Sequence, residues 1–212
     1  MTIIDYSAIA IAAIFSQDRP QEIEEGLIRH MILNRIRMYN LKFREEYGQT
    51  VIACDGGSWR KTVFENYKAG RKKTRDESPL DWGEFFRLIN LVRDELKEHL
   101  PYPVVCVEGA EADDVIAVLS DGTQEFGKDE PVMIVSADKD FLQLVNEQIT
   151  VYRPMEKKFY TPNDIKEKFG IPPENFIIMK TLLGDNSDKI PGIKGLGPKK
   201  FDKLFPELST DI

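Results

Sequence analysis

The stretch PVMIVSADKDFLQL, residues 131–144, carries four apolar residues, Val132 to Val135, straight into Ser136, Asp138, Lys139 and Asp140. A short apolar run with that ending reads as a buried strand, here PVMIVSAD, and DFLQLV after it as a short helix. Two carboxylates at one strand end repel each other unless something positive lies between them. The stretch therefore predicts a strand and asks for a cation at its carboxyl end.

The same pattern recurs outward from it. MTIID reads as a strand ending at Asp5, followed by the apolar helix start SAIAIAAIF, and VIACD (51–55) is a second strand ending at Asp55. VVCVEG is a third, after which EADDVIAVLSDGTQEF starts a helix with Glu111, Asp113 and Asp114 around its first turn. Between the first two strands, residues 21–46 keep a helical stripe through Ile23, Leu27, Ile28, Met31, Ile32, Arg35 and Ile36. Asp81 is a predicted N-cap with Glu84 at capping-box spacing, opening a helix that runs to His99 before Pro101 and Pro103. ITVYRP with EKKFYTP suggests a hairpin, and PNDIKEKFG and ENFIIMKTLLG two further helices. Strands alternating with helices predict an α/β fold: a mostly parallel sheet with helices on both faces. The last fifty or so residues form a helical annex to it.

With 212 residues the chain can bury a full core, and its 31% charged residues fit an ordinary soluble protein. No apolar run reaches the length of a membrane span and no basic leader precedes the apolar N-terminus, so no membrane partner and a cytoplasmic location are expected. Only Cys54 and Cys106 are present, which argues against a disulfide framework. His30 and His99 sit in charged, helix-like stretches and are expected at the surface rather than on a metal. A monomer is expected, because no heptad or exposed apolar stripe is evident.

A net charge of −7 argues, taken whole, against nucleic acid, but the charges are segregated. Between residues 60 and 75 lie Arg60, Lys61, Lys68, Arg71, Lys72, Lys73 and Arg75 against the single acid Glu65, and residues 189–203 hold five lysines against Asp202. Acids gather instead at strand ends. In an open α/β sheet ligands bind outside the carboxyl ends of the strands. Asp5, Asp55, Glu111, Asp113, Asp114, Asp138 and Asp140 would all face that rim. Any one of them alone reads as a helix cap or first-turn acid; as a set they need divalent cations. Carboxylates without histidine or thiolate select Mg²⁺ or Mn²⁺, and two such ions roughly 3.5–4 Å apart suit phosphodiester hydrolysis. Asp185 and Asp188, three apart in GDNSDKI, are expected on one helical turn, completing the second ion's shell.

Two stretches are fitted to phosphate. PGIKGLGPKK (191–200) sets Gly192, Gly195 and Gly197 before Pro198, which opens a helix bearing Lys199 and Lys200. Alone it would be a plain glycine-rich turn; next to GDNSDKIP it is more. Residues 56–79 read as a long loop or two short helices, with Trp59 and Tyr67 interleaved among cations as a single strand of nucleic acid requires. Lys72 and Lys73 are expected to be solvated, whereas Lys68 and Arg71 are expected at the scissile phosphate. Residues 70–79, rich in like charges and poor in apolar anchors, are expected to lack order without nucleic acid.

Taken together, DYSAIAI, VIACDGGSWRK, ENYKAGRK, EADDVIAVL, SADKDFLQL and GDNSDKIPGIKGLGPKK resemble the 5′-nuclease (flap endonuclease) superfamily, and most of all its bacteriophage branch of RNase H-type 5′-to-3′ exonucleases. The resemblance implies a PIN-like catalytic core over 1–160 with a helical arch at about 56–80, and an annex over 161–212 with a helix–three-turn–helix. It implies two divalent ions: Asp5, Asp55, Glu111, Asp113 and Asp114 match the acids of the first, Asp138, Asp140, Asp185 and Asp188 those around the second. Lys68 and Arg71 match the catalytic basic pair at the base of the arch, and Tyr67 a stacking aromatic. Arg60, Lys61, Gly192, Gly195, Gly197, Lys199 and Lys200 match nucleic-acid-binding positions, with a K⁺ ion at the glycine-rich turn. The implied activity is cleavage at 5′ ends or flaps of branched or 5′-tailed DNA and RNA–DNA hybrids, as in primer removal during phage DNA replication beside partners such as a single-strand-binding protein. Relatives of that branch continue past this turn, so a chain ending at Ile212 is expected to be a truncated or short form.

Two other readings compete. A structure-selective DNA-binding module with vestigial acids would bind branched DNA without turnover. A toprim-like phosphotransfer site also uses a strand ending in SADKD, but gives no role to GIKGLGPKK or to the basic stretch.

Overall fold

The computed structural model describes residues 1–17, 22–125, 129–186 and 188–209. Six strands form one sheet in the order β3-β2-β1-β4-β5-β6: β1 (Thr2–Asp5), β2 (Thr50–Cys54), β3 (Val104–Cys106), β4 (Val132–Val135), β5 (Ile149–Arg153) and β6 (Lys158–Tyr160). The first five run parallel, and β6 returns antiparallel to β5 as the hairpin expected from ITVYRP and EKKFYTP. Every residue of β1, β2 and β4 is buried, which is why these segments read as unbroken apolar runs and not as alternating ones.

Helices cover both faces. On one lie α1 (Tyr6–Phe15), α2 (Glu25–Tyr47) and, after two short helices α3 (Arg60–Val63) and α4 (Gly70–Asp76), α5 (Trp82–His99). Ile28, Ile32, Ile36, Tyr39 and Phe43 of α2 and Phe85, Leu88, Ile89, Val92 and Leu96 of α5 make the buried stripes. The opposite face carries α6 (Ala112–Glu125), α7 (Pro162–Phe169), α8 (Phe176–Leu183) and α9 (Pro198–Leu204), with Phe176 and Phe201 packed into the same cluster as Ile3, Ile134 and Val151. A two-stranded ribbon, β7 (Gly184–Asp185) with β8 (Ile190–Pro191), joins α8 to α9.

The connections leaving β1 and β2 pack on one face and α6, which precedes β4, on the other. The winding therefore reverses between β1 and β4, and a crevice opens there at the strands' carboxyl ends. Asp5 and Asp138 flank it.

Several sequence expectations shift in detail. The helix expected over 21–46 begins at Glu25, and residue 21 lies outside the described residues, as do 126, 187 and 210–212. Asp81 caps α5 through Glu84 N at 2.9 Å, but the Glu84 carboxylate turns to Arg87 instead of closing a capping box. Residues 70–76, expected to lack order, form α4. Arg71 pairs with Asp188, and the Gly70 backbone lies against Lys189, so the annex anchors what the segment's own composition does not. Among the described residues no helix is long and apolar enough to cross a membrane, and the two cysteines are free.

Candidate active site

The acids arrive from separate strand ends, and the local sequence explains how each is held. Asp5 ends β1 and caps α1, accepting from Ala8 N at 3.1 Å and from Ser136 Oγ at 2.7 Å. Asp55 follows β2 and accepts from Ser7 Oγ at 2.5 Å and from Ala112 N at 2.9 Å, the start of α6. Beyond β4, Ser136 also accepts from Asp138 N at 3.0 Å, while Asp138 accepts from Asp140 N at 2.9 Å. Arg153 donates to Ala137 O and pins this loop from β5. Asp113, on the first turn of α6, accepts no hydrogen bond among the described residues.

These groups line a cleft of about 720 Å³, with Lys68, Arg71, Lys180 and Asp185 on its walls. A second hollow of about 430 Å³ shares Asp113 and Asp140 with it and opens on the far side of Tyr67, between α3 and α6. Burial raises the carboxyl of Asp5 to about 6, more strongly than its hydrogen bonds from Ser136 and Ala8 lower it. Burial, then the negative charges of Asp5 and Asp138, raise Asp113 to about 7. The centre of the cleft is thus short of positive charge.

Its margins are not. Glu111 accepts from Lys68 Nζ at 2.9 Å, Tyr67 OH at 2.9 Å and Arg60 Nη1 at 3.2 Å. Burial opposes the charge on Glu111, yet these partners hold its carboxyl below the usual range. Asp114 is gripped by both Arg60 Nη atoms at 2.9 and 2.8 Å, which holds it below the usual range as well. Lys180 lies between Asp140 and Asp185, 2.7 Å from the latter. Burial works against its charge and the two carboxylates outweigh it. Arg71 meets Asp188 at 3.0 Å.

Of the predicted acids, Asp5, Asp55, Asp113, Asp138, Asp140 and Asp185 line the cleft and Asp114 and Asp188 the hollow beside it, and all of them, with Glu111, divide by partner. Asp5, Asp55, Asp113 and Asp138 have hydroxyls, backbone N–H groups or nothing; Glu111, Asp114, Asp140, Asp185 and Asp188 have protein cations. Among the described residues no three of them stand as a ready metal-holding group. Asp185 and Asp188 are not on one helical turn as expected: Asp185 is in β7, and each has its own cation. Tyr67, expected to stack on a base, is 8% exposed with its hydroxyl on Glu111, whereas Trp59 is 51% exposed and has the Arg60 guanidinium 4.9 Å from its ring. Lys68 takes a left-handed backbone, φ 55°, which costs a non-glycine residue about 1 kcal/mol and aims its side chain inward. Lys61, Lys72 and Lys73 are exposed.

In the annex, Gly192 approaches the Leu183–Gly184 backbone so closely that a Cβ would lie 2.2 Å from Leu183 C. Gly195 has φ 80°, and its carbonyl accepts from Lys200 Nζ at 2.9 Å. Gly197 precedes Pro198, the first residue of α9 as expected, and Lys199 is exposed.

Sequence reasoning missed Lys180, Ser7 and Arg153. Ser136 stood in view within SADKD, and Lys180 sits five residues before Asp185 on an otherwise apolar helix, an isolated charge that marks a buried partner. Nothing in the sequence singles out Ser7 or Arg153.

Residues 1–170 match the family described as 5′-3′ exonuclease, N-terminal resolvase-like domain. The ribonuclease H of Enterobacteria phage T4 is 34% identical over 222 residues, covering 99% of this chain and 70% of that protein. The thermostable DNA polymerase I of Thermus filiformis is 32% identical over 201 residues, covering 93% of this chain but only 22% of the polymerase. The chain thus spans under a quarter of the polymerase and most of the phage enzyme. In fold, it is similar to the bacteriophage T5 flap endonuclease, solved as a pseudo-enzyme-product complex with DNA and metal ions, with a TM-score of 0.81 at 19% identity over 99% of this chain and 75% of that one.

Proposed function

The chain belongs to the 5′-3′ exonuclease family, and from that premise we propose that it is a divalent-metal-dependent 5′-nuclease. It hydrolyses phosphodiester bonds at 5′ ends or flaps of DNA and RNA–DNA duplexes, and removes primers in phage DNA replication. The observation that carries this reading is the uncompensated centre of the cleft. Asp5, Asp113 and Asp138 line it together, none of them ion-paired with a cation among the described residues, and burial raises the carboxyls of Asp5 and Asp113 to about 6 and about 7.

The donor set is all oxygen, which fits Mg²⁺ or Mn²⁺. Asp5, Asp55, Glu111, Asp113 and Asp114 would hold one ion, and Asp138, Asp140, Asp185 and Asp188 a second. When bound, such ions lower the pKa of water and neutralise charge on a phosphoryl group. The chain's own residues do the rest. Asp5 and Asp55 are fixed in orientation by Ser136, Ser7 and the backbone of Ala8 and Ala112. Lys68 and Arg71 reach the cleft from the arch, placing positive charge where the phosphate's negative charge grows. Trp59 with Arg60, and the exposed lysines of the arch, offer a face to single-stranded substrate. The turn of Gly192, Gly195 and Gly197 with Lys199 and Lys200 would take the duplex backbone, with K⁺ on its carbonyls. The arrangement needs one chain only.

The test is cleavage of a 5′-labelled flap duplex, with an RNA–DNA hybrid alongside, in Mg²⁺ and then in Ca²⁺ or EDTA. Release of short 5′ products only in Mg²⁺ supports the nuclease and ranks its substrates. Binding without cleavage under every condition would favour the non-catalytic DNA-binding module.

A further inference from the structure

The fold brings the chain's two cysteines together at a place the nuclease reading does not use. Cys54 and Cys106 are partners in the parallel register of β2 and β3. Adjacent strands lie about 4.8 Å apart, inside the roughly 4.4–6.8 Å span between Cα atoms that a disulfide bridges. Both side chains leave the sheet on one face: Cys54 belongs to the core beneath α1, α2 and α5, and Val104, two residues before Cys106, packs against that same core. Arg93 of α5 interacts electrostatically with both sulfurs, which sets the two beside one another.

The two thiols differ in access. Cys54 is buried. Cys106 is exposed on the last residue of an edge strand, its Sγ donating to Asp55 O at 3.4 Å. An accessible thiol beside a sheltered one is the arrangement of an attacking and a resolving cysteine.

We propose that Cys54 and Cys106 form a redox-active dithiol, a site of reversible oxidation by hydroperoxides. The Cys106 thiolate attacks one peroxide oxygen; the O–O bond breaks, the other oxygen leaves with a proton as water or an alcohol, and Cys106 becomes a sulfenic acid. The Cys54 sulfur then attacks the Cys106 sulfur. The S–O bond breaks, water departs with the Cys54 proton, and the S–S bond forms. Two thiols lose two electrons and the peroxide gains them.

In-register parallel partners keep their Cβ atoms near the strand spacing, wider than the about 3.8 Å of a relaxed disulfide. Strand β3 is three residues long and free along one edge, so it can shift to close that gap, and the strained bond is readily reduced again. Just beyond the pair, Gly56 N donates to Ala110 O and Gly109 N to Gly56 O, clamping the loop of Asp55 to the loop of Glu111. A Cβ on Gly56 would lie 1.9 Å from Val107 O, so this clamp has no slack. Drawing the sulfurs together displaces it and moves Asp55 with it.

The inference does not depend on nuclease activity, and neither does its test. The folded, reduced protein should show one thiol reacting fast with Ellman's reagent and a second only after unfolding. After brief hydrogen peroxide treatment, alkylation in denaturant and mass spectrometry should find a monomer lighter by two hydrogens, with peptides of Cys54 and Cys106 cross-linked and both thiols restored by dithiothreitol. Cys106→Ser should leave Cys54 reduced under the same treatment, and Cys54→Ser should leave a Cys106 sulfenic acid that dimedone traps. If Cys54→Ser does not fold, wild type and Cys106→Ser decide alone. Cys106 driven to sulfinic acid while Cys54 stays free, or cross-links only between chains, would overturn the proposal.

Discussion

The centre and the margins of the cleft draw on the same residue type and treat it oppositely. At the margins every carboxylate meets a cation: Glu111 and Asp114 share Arg60, with Lys68 added on Glu111, Asp140 and Asp185 share Lys180, and Asp188 has Arg71. At the centre Asp5, Asp113 and Asp138 form no ion pair among the described residues, and burial raises the carboxyls of Asp5 and Asp113 where partners lower those of Glu111 and Asp114. A cation at a marginal carboxylate offsets part of the cost of its desolvation. A set of bare acids at the centre stays costly unless a ligand brings the charge. The difference separates acids that protein cations already compensate from acids that they do not.

The sharpest way to break this contrast is to neutralise Asp138 at the centre together with Asp140, its neighbour at the margin. Asp138→Asn with Asp140→Asn removes charge and leaves volume, so folding should survive while cleavage of the labelled flap falls by at least about a thousandfold. Undiminished cleavage would end the metal assignment. The margin should answer differently: Lys68→Ala should cost about a hundredfold in single-turnover rate, together with some stability, because Glu111 loses a partner while 9% exposed. Lys61→Ala, on an exposed neighbour, should change the rate little and so shows whether position or mere charge matters.

The acidity of the centre has a direct signature in the metal-free protein. A carboxyl raised on folding adds stability below its unfolded pKa and loses it as pH rises through its folded pKa. For Asp5 at about 6 and Asp113 at about 7, urea midpoints measured in EDTA should fall between about pH 4 and pH 7. The loss should be on the order of 2 kcal/mol, and Mg²⁺ should reduce it. A midpoint that rises across that window would mean the centre is already compensated.

How much of this was legible beforehand follows the same division. The strands, their parallel order of appearance, the hairpin and the gathering of acids on one rim could be read because apolar runs ending in Asp or Glu recur at Asp5, Asp55 and Asp138. The pairing of those acids could not. Which carboxylate meets Arg60 and which meets Lys180 depends on contacts 54 and 40 residues apart in sequence, set by packing and not by local pattern. The order of residues 70–76 escapes the sequence for a related reason. Their composition lacks apolar anchors, but Arg71 and Gly70 find theirs at Asp188 and Lys189, more than a hundred residues on. Tyr67 read as an exposed aromatic because its neighbours are cations, and it is buried because one of its contacts is Glu111.

A smaller test concerns Lys180, whose ammonium occupies the space between two acids expected to serve the second ion. If that charge competes with the ion, Lys180→Met should raise the affinity for Mn²⁺ about tenfold by calorimetry, since a like charge a few ångströms away is removed. Unchanged affinity would place the second ion elsewhere on the rim, with Asp140 and Asp185 as a structural pair.

The smallest effect is expected where the arch meets the annex. Arg71 and Asp188 form an ion pair whose arginine is half exposed, and such pairs contribute about 0–1 kcal/mol. Asp188→Asn should therefore leave the unfolding midpoint nearly unchanged. Its consequence should be local, because this pair and the Gly70–Lys189 contact are what tie α4 to the annex. Hydrogen exchange of residues 70–76 should quicken several-fold in the variant while that of β1 and β4 stays as it was. Exchange that is equally slow in both proteins would show the arch held by its own helix, and Arg71 already free to meet a phosphate. Faster exchange in the variant would show instead that substrate must compete with Asp188 for Arg71 before the arch can close on it.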